Sequence, residues 1–160
     1  MRDSFLSLDV ERHHASPSAR DPLRTQNSEK TDRSTSRESA STKRTALVVD
    51  DVSDVTEMLS VLLSRAGYAV VTAASAPQAL NAANEFQFDV IISDIGMPGM
   101  NGYQLAHELR QLPGYENVPL VAVTGYSMFD DRERSKRAGF NAHMTKPIDP
   151  SALLALIEQL

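Results

Sequence analysis

The sequence predicts an α/β fold, a doubly wound parallel sheet built from five strand–helix units. Three observations predict it. Short apolar, β-rich runs alternate with helical stretches from residue 45 onward. The first, third and fourth runs are nearly continuous apolar stretches, as strands covered on both faces read. Helix start signals stand between the runs, and right-handed crossovers turn such a series into a parallel sheet.

The first strand is Ala46-Leu47-Val48-Val49. Ser53 or Asp54 is placed to cap the helix after it. Its apolar positions Val55, Met58, Leu59, Leu62, Leu63 and Ala66 recur at helical spacing, and Gly67 stops it. Ala69-Val70-Val71-Thr72 is the second strand; Ser75 and Pro77 open the second helix. Val90-Ile91-Ile92-Ser93 is the third, followed by a helix capped by Asn101 and carrying Leu105, Leu109 and Leu112. Leu120-Val121-Ala122-Val123 leads to a helix from about Met128 to Ala138, closed by Gly139. Ala142-His143-Met144-Thr145 leads to a last helix opened by Pro150, with Leu153, Leu154, Leu156, Ile157 and Leu160. The second and fifth strands are more mixed, which suits positions nearer a sheet edge.

Residues 1–44 read differently. They hold nine Lys/Arg, seven Asp/Glu and thirteen Ser/Thr, with only nine hydrophobic residues. Such a stretch cannot bury enough apolar surface to offset its ordering entropy, so a disordered polar tail is expected. His13-His14 lacks further ligands at metal-binding spacing. The chain has no cysteine, which excludes disulfides, thiolate metal cages and a cysteine nucleophile. No apolar run reaches the roughly 18 residues of a membrane span. The net charge of -5 argues against nucleic-acid binding. A cytoplasmic protein is expected, with no membrane insertion and no direct nucleic-acid contact.

In doubly wound sheets ligands sit beyond the carboxyl ends of the strands. Here the first strand ends in Asp50-Asp51, the third in Asp94, the fourth in Thr124 and the fifth in Lys146-Pro147. Each has a plain reading alone: a turn or cap, a β-branched strand residue, a solvated charge. Their joint placement on one rim points to a site. Clustered carboxylates repel and stay ionised cheaply only beside a cation. Hard oxygen ligands select Mg²⁺ or a similar ion. Three aspartates, a divalent ion and Lys146 make a neutral cluster that can receive a dianionic phosphoryl group. One aspartate can then be the nucleophile and form an aspartyl phosphate. The metal and Lys146 would stabilise the oxygens of the transferring group, with Thr124 donating a hydrogen bond.

Over about residues 45–160 the sequence resembles the receiver domain of two-component response regulators. The words that carry the resemblance are Val48-Val49-Asp50-Asp51, Ser93-Asp94-Ile95-Gly96-Met97-Pro98-Gly99-Met100-Asn101-Gly102, Val123-Thr124-Gly125 and Lys146-Pro147. The resemblance implies a flavodoxin-like (βα)5 sheet with strand order 2-1-3-4-5. It implies that Asp94 is the phosphoacceptor, receiving phosphate from a histidine kinase or a histidine phosphotransfer protein. Asp51 would bind Mg²⁺ directly, Asp50 mainly through water, and the Gly96 backbone carbonyl would be a further ligand. Asp94 completes the metal set. Thr124 and Lys146 would hold the phosphoryl oxygens, and the Lys146–Pro147 bond would be cis. Phosphorylation would shift a conformational balance in the fourth helix, fifth strand and fifth helix, and so the binding of a downstream protein target.

Two positions depart from the commoner pattern of the family. His143 stands where the fifth strand often carries Tyr or Phe. Gly96, two residues after Asp94, offers no side chain to screen the phosphoryl group, and Tyr126 is the residue expected to cover it instead. With no output domain expected after Leu160, the chain reads as a single-domain regulator, or as a receiver like those of hybrid histidine kinases. It is expected to be a switch, not an enzyme, catalysing only its own Mg-dependent phosphorylation and autodephosphorylation. A haloacid-dehalogenase-like phosphatase would place a second aspartate where Gly96 stands. A degenerate receiver that ignores phosphorylation would have lost members of the Asp/Asp/Asp/Thr/Lys set.

Overall fold

Five strands, Thr45–Val49 (β1), Ala69–Ala73 (β2), Val90–Asp94 (β3), Leu120–Thr124 (β4) and Ala142–Thr145 (β5), alternate with five helices. The helices are Ser53–Arg65 (α1), Ala76–Glu85 (α2), Gly102–Gln111 (α3), Phe129–Ala138 (α4) and Pro150–Glu158 (α5). The computed structural model describes residues 43–125 and 129–160, without the side chains of 129–131. Residues 1–42 of the tail read over 1–44, with His13-His14, and the residue Tyr126 therefore lie outside the described residues. The strand order is β2-β1-β3-β4-β5 and every pairing is parallel, as expected.

The apolar runs occupy the middle of the sheet because they are covered on both faces. β3 and β4 are buried along their whole length and β1 from Ala46 onward, whereas β2 and β5 at the edges are only partly covered. The period-2 alternation of strand side chains divides the core in two. Leu47, Val49, Ile91, Leu120 and Ala122 face α2 and α3, packing with Ala79, Leu105 and Leu109. Ala46, Val48, Ile92, Val121 and Val123 face α1 and α5, packing with Leu59, Leu63, Leu153 and Ile157.

Most helix starts follow the sequence signals. The Ser75 hydroxyl accepts from Gln78 N–H at 3.4 Å. Asn101 and Gln104 form a reciprocal capping box at 3.0 and 3.1 Å. The α5 cap is Asp149, which accepts from Ala152 N–H at 2.7 Å. At α1 the expectation fails: the N-cap is Val52, with no side-chain cap, and Ser53 and Asp54 already lie in the helix. The turn is held instead by Asp50, whose Oδ1 accepts from Val52 N–H at 2.9 Å. Val55, Leu59, Leu62 and Leu63 pack toward the core, whereas Met58, at the same helical spacing, is exposed. Leu112 and Leu160 fall just beyond α3 and α5.

Two features hold the ends of the helices against the sheet. Gly102 opens α3 so close to the end of β3 that a Cβ there would lie 2.3 Å from the Asp94 carbonyl oxygen. Its N–H donates to the Ile95 carbonyl at 2.9 Å. At the opposite end, the Arg110 guanidinium donates to the carbonyls of Gly139, Tyr115 and Val118 and to Asn141 Oδ1, at 2.6 to 3.0 Å. It ties α3 to the turn between α4 and β5.

Candidate functional site

Parallel strands in register deliver their last residues to one rim. β3 ends in Asp94 itself, paired with Val123 of β4, and Ile95 N–H donates to the Val123 carbonyl at 3.1 Å. Thr124 ends β4 opposite Thr145, and its carbonyl accepts from Lys146 N–H at 2.8 Å. Asp50 follows β1, its N–H bonded to the Ala73 carbonyl at 3.1 Å. The Lys146–Pro147 bond is cis. Sheet hydrogen bonds thus fix the backbone beneath every one of these side chains.

The side chains converge. Carboxylate oxygens of Asp50, Asp51 and Asp94 all lie within 4.8 Å of one another. Lys146 Nζ lies 2.7 Å from Asp50 Oδ2 and 3.2 Å from Asp94 Oδ1, bridging two strand ends. Asp50 and Asp94 are 2% and 6% exposed, whereas Asp51 is open to solvent. Thr124 is buried at the rim. Gly96 is exposed, and a Cβ built on it would lie 3.6 Å from Asp94 Oδ2, so the bare glycine leaves that flank of the carboxylate open.

The electrostatics follow from this packing. Burial pushes the Asp94 carboxyl above its ordinary value; Lys146 pulls it back, and the Asp50 and Asp51 charges push it up again. Burial alone would lower the Lys146 ammonium, but its hydrogen bond to Asp50 and the charges of Asp94 and Asp50 raise it overall. One ammonium against three carboxylates leaves a net charge of two negatives in a recess with a solvent-facing member. That donor set fits one hard divalent cation that keeps some of its water.

Two contributions were not legible as site residues in the sequence. Gly102 sets the distance between α3 and the loop after Asp94; its place after the Asn101 cap hints at a helix start but not at the close approach. Ser135, a buried serine on the otherwise polar α4, lies with its Oγ 3.1 Å from His143 Nδ1. The His143 ring is half-buried and meets α4 through this contact.

Comparison with known proteins agrees with the geometry. The family model described as "Response regulator receiver domain" matches residues 46–158. An uncharacterized 14.6 kDa protein of Leptolyngbya boryana is 38% identical over 113 residues, covering 71% of this chain and 86% of that protein. The response regulator PleD of Caulobacter vibrioides is 34% identical over 71% of this chain, but the match spans only 25% of its length. The chain likewise spans 54% of the probable transcriptional regulator ycf29 of Porphyra purpurea. Among solved structures, the Vibrio cholerae chemotaxis protein CheY4 superposes with a TM-score of 0.71 at 33% identity, covering 73% of this chain and 98% of that one. The receiver domain of a Pseudomonas aeruginosa sensor histidine kinase, solved with magnesium in its active-site cleft, gives 0.68 at 27% identity, covering 73% and 96%. Over residues 46–158 the chain belongs to the response regulator receiver domains, the phosphoacceptor switches of two-component signalling.

Proposed function

We propose that Asp94 is the phosphoacceptor of this receiver and that Mg²⁺ is its cofactor. The observation that carries the reading is Lys146 Nζ, held between Asp50 and Asp94 with Asp51 in the same cluster. Asp51 and Asp94 would hold the ion directly, Asp50 mainly through water, with the Gly96 carbonyl as a further ligand. When bound, the ion supplies positive charge to the oxygens of the transferring group.

The chain's own residues do the rest. A carboxylate oxygen of Asp94 attacks the phosphorus of a phosphohistidine. The new P–O bond forms as the P–N bond breaks, and the imidazole leaves with its electron pair. Lys146, already 3.2 Å from Asp94 Oδ1, stabilises the oxygens of the group in transit. Thr124 donates a hydrogen bond to one of them. Autodephosphorylation is a separate step: water attacks the phosphorus, the acyl–phosphate P–O bond breaks, and inorganic phosphate leaves with the Asp94 carboxylate restored. The donor is a histidine kinase or a histidine phosphotransfer protein. The output is contact with a downstream protein in the cytoplasm, without direct nucleic-acid binding. Autodephosphorylation is the only turnover proposed.

Beryllofluoride with Mg²⁺ tests this. Binding should produce a tyrosine-fluorescence or NMR shift change in the wild type that disappears with EDTA and in Asp94→Asn. An intact protein that gives no change would mark a module that ignores phosphorylation.

A further inference from the structure

Ser93 stands directly before the acceptor and is fully buried in β3. It is polar where its surroundings are apolar. Its register mates are Val49 and Ala122, and Ile91, two residues earlier, points to the same side of the strand. All three belong to the apolar cluster that faces α2 and α3. An alanine would fill nearly the same space without a hydroxyl to desolvate. The hydroxyl has one described role: Ser93 Oγ donates to the Asp94 carbonyl at 2.8 Å, in a bond that is itself buried.

That carbonyl lies where the sheet supports the acceptor on one side only. Toward β4, Asp94 pairs with Val123, and Ile95 N–H donates to the Val123 carbonyl at 3.1 Å. Toward β1, the register ends with Val49 opposite Ser93, one residue short of Asp94. The Gly102 backbone packs against the same carbonyl, so close that a Cβ there would lie 2.3 Å from its oxygen. The carbonyl and the carboxylate share the Asp94 Cα. A peptide free to turn at that point would carry the carboxylate away from Lys146 Nζ, which lies 3.2 Å from Asp94 Oδ1.

We infer that Ser93 is a positioning residue for the phosphoacceptor: its hydroxyl fixes the Asp94 carbonyl and so aims the carboxylate at Lys146. The inference rests on the reading of Asp94 as the acceptor and deepens it. Ser93 lies in the core and acts through the backbone, touching neither the phosphoryl group nor the metal. Misplacing a reacting group by about 1 Å costs on the order of a hundredfold in rate. Loss of one hydrogen bond, with Gly102 and β4 still in place, should move the carboxylate less and cost less.

The test follows phosphorylation of the full chain by acetyl phosphate and Mg²⁺ on phosphate-affinity gels, with urea unfolding measured alongside. Ser93→Ala should slow the reaction about tenfold. Tyr115→Phe is the matched control, because the Tyr115 hydroxyl also donates to a backbone carbonyl, that of Phe86, in the loops at the opposite end of the sheet. It should leave the rate within about twofold, as remote sites act independently, even where it lowers the unfolding midpoint as much. A double-mutant cycle with Lys146→Met separates aiming from packing. Ser93→Ala should slow the Lys146→Met protein by no more than about twofold, since the cation it aims at is gone. An unchanged rate in Ser93→Ala, an equal slowing in Tyr115→Phe, or the full loss repeated in the Lys146→Met background would overturn the inference. Each of these leaves the wild type labelled at Asp94 and the acceptor reading intact. Label that persists in Asp94→Asn would overturn that reading, and this inference with it.

Discussion

Lys146 Nζ lies 3.2 Å from Asp94 Oδ1, and the two residues come from β3 and the end of β5, which are separated in the sheet by β4. The sheet thus brings together a cation and the carboxylate it serves without any loop having to close. Replacing the lysine should therefore damage chemistry more than folding. Lys146→Met is expected to slow phosphorylation by acetyl phosphate about a hundredfold, the usual loss on removing one preorganised donor. Phosphate-affinity gels report the rate, and a thermal melt checks the fold.

The Asp94 carboxyl lies above its ordinary value mainly because it is buried, with Asp50 and Asp51 adding to the shift against Lys146. Its folded value is therefore higher than its unfolded one of about 3.9. Below the unfolded value both states hold the proton and no penalty exists. The folded state loses stability as pH rises through the folded value, and the full penalty is present at neutral pH. In EDTA, Asp94→Asn is therefore expected to raise the melting temperature at pH 7, with the gain vanishing in acid. An effect on the order of 1 kcal/mol would move the midpoint by several degrees. A lower midpoint in the variant at neutral pH would contradict the sign.

Gly102 admits no side chain, since a Cβ would meet the Asp94 carbonyl oxygen at 2.3 Å. Gly102→Ala must push α3 away from the loop that follows the acceptor. A loss of about 1–3 kcal/mol in chemical denaturation is expected, typical of overpacking a closed site.

Gly96 offers the opposite case. A Cβ there meets only Asp94 Oδ2, at an ordinary 3.6 Å, so a larger residue fits beside the carboxylate. Gly96→Met is expected to lengthen the aspartyl-phosphate half-life several-fold by excluding water, with little change in stability. Decay of the labelled phosphoprotein measures this.

Arg110 donates to three backbone carbonyls and Asn141, and has no carboxylate partner among the described residues. Arg110→Ala leaves those carbonyls without their donor and is expected to cost about 2–3 kcal/mol in urea unfolding.

How much of this the sequence displays depends on the range of each interaction. The strands were legible because their apolar runs reflect burial on both faces, and the rim residues because parallel strands end together. Ser75 and Asn101 were legible as caps because each acts on its own next turn. The α1 cap was not: Asp50, two residues before Val52, holds that turn with one carboxylate oxygen while its other oxygen takes Lys146, 96 residues away. Met58 shares the helical spacing yet is exposed, because spacing gives the period of a helix but not which edge of its apolar stripe meets the sheet. The Arg110 clasp and the Ser135–His143 pair join residues whose neighbours in sequence give no hint of each other.

The central claim is tested most directly by locating the phosphoryl group. The intact chain should be incubated with acetyl phosphate and Mg²⁺, trapped by borohydride reduction and mapped by mass spectrometry. The account predicts a single modified site at Asp94, lost with EDTA and in Asp94→Asn. Label on another residue, or label at Asp94 that forms equally well without a divalent ion, would contradict it.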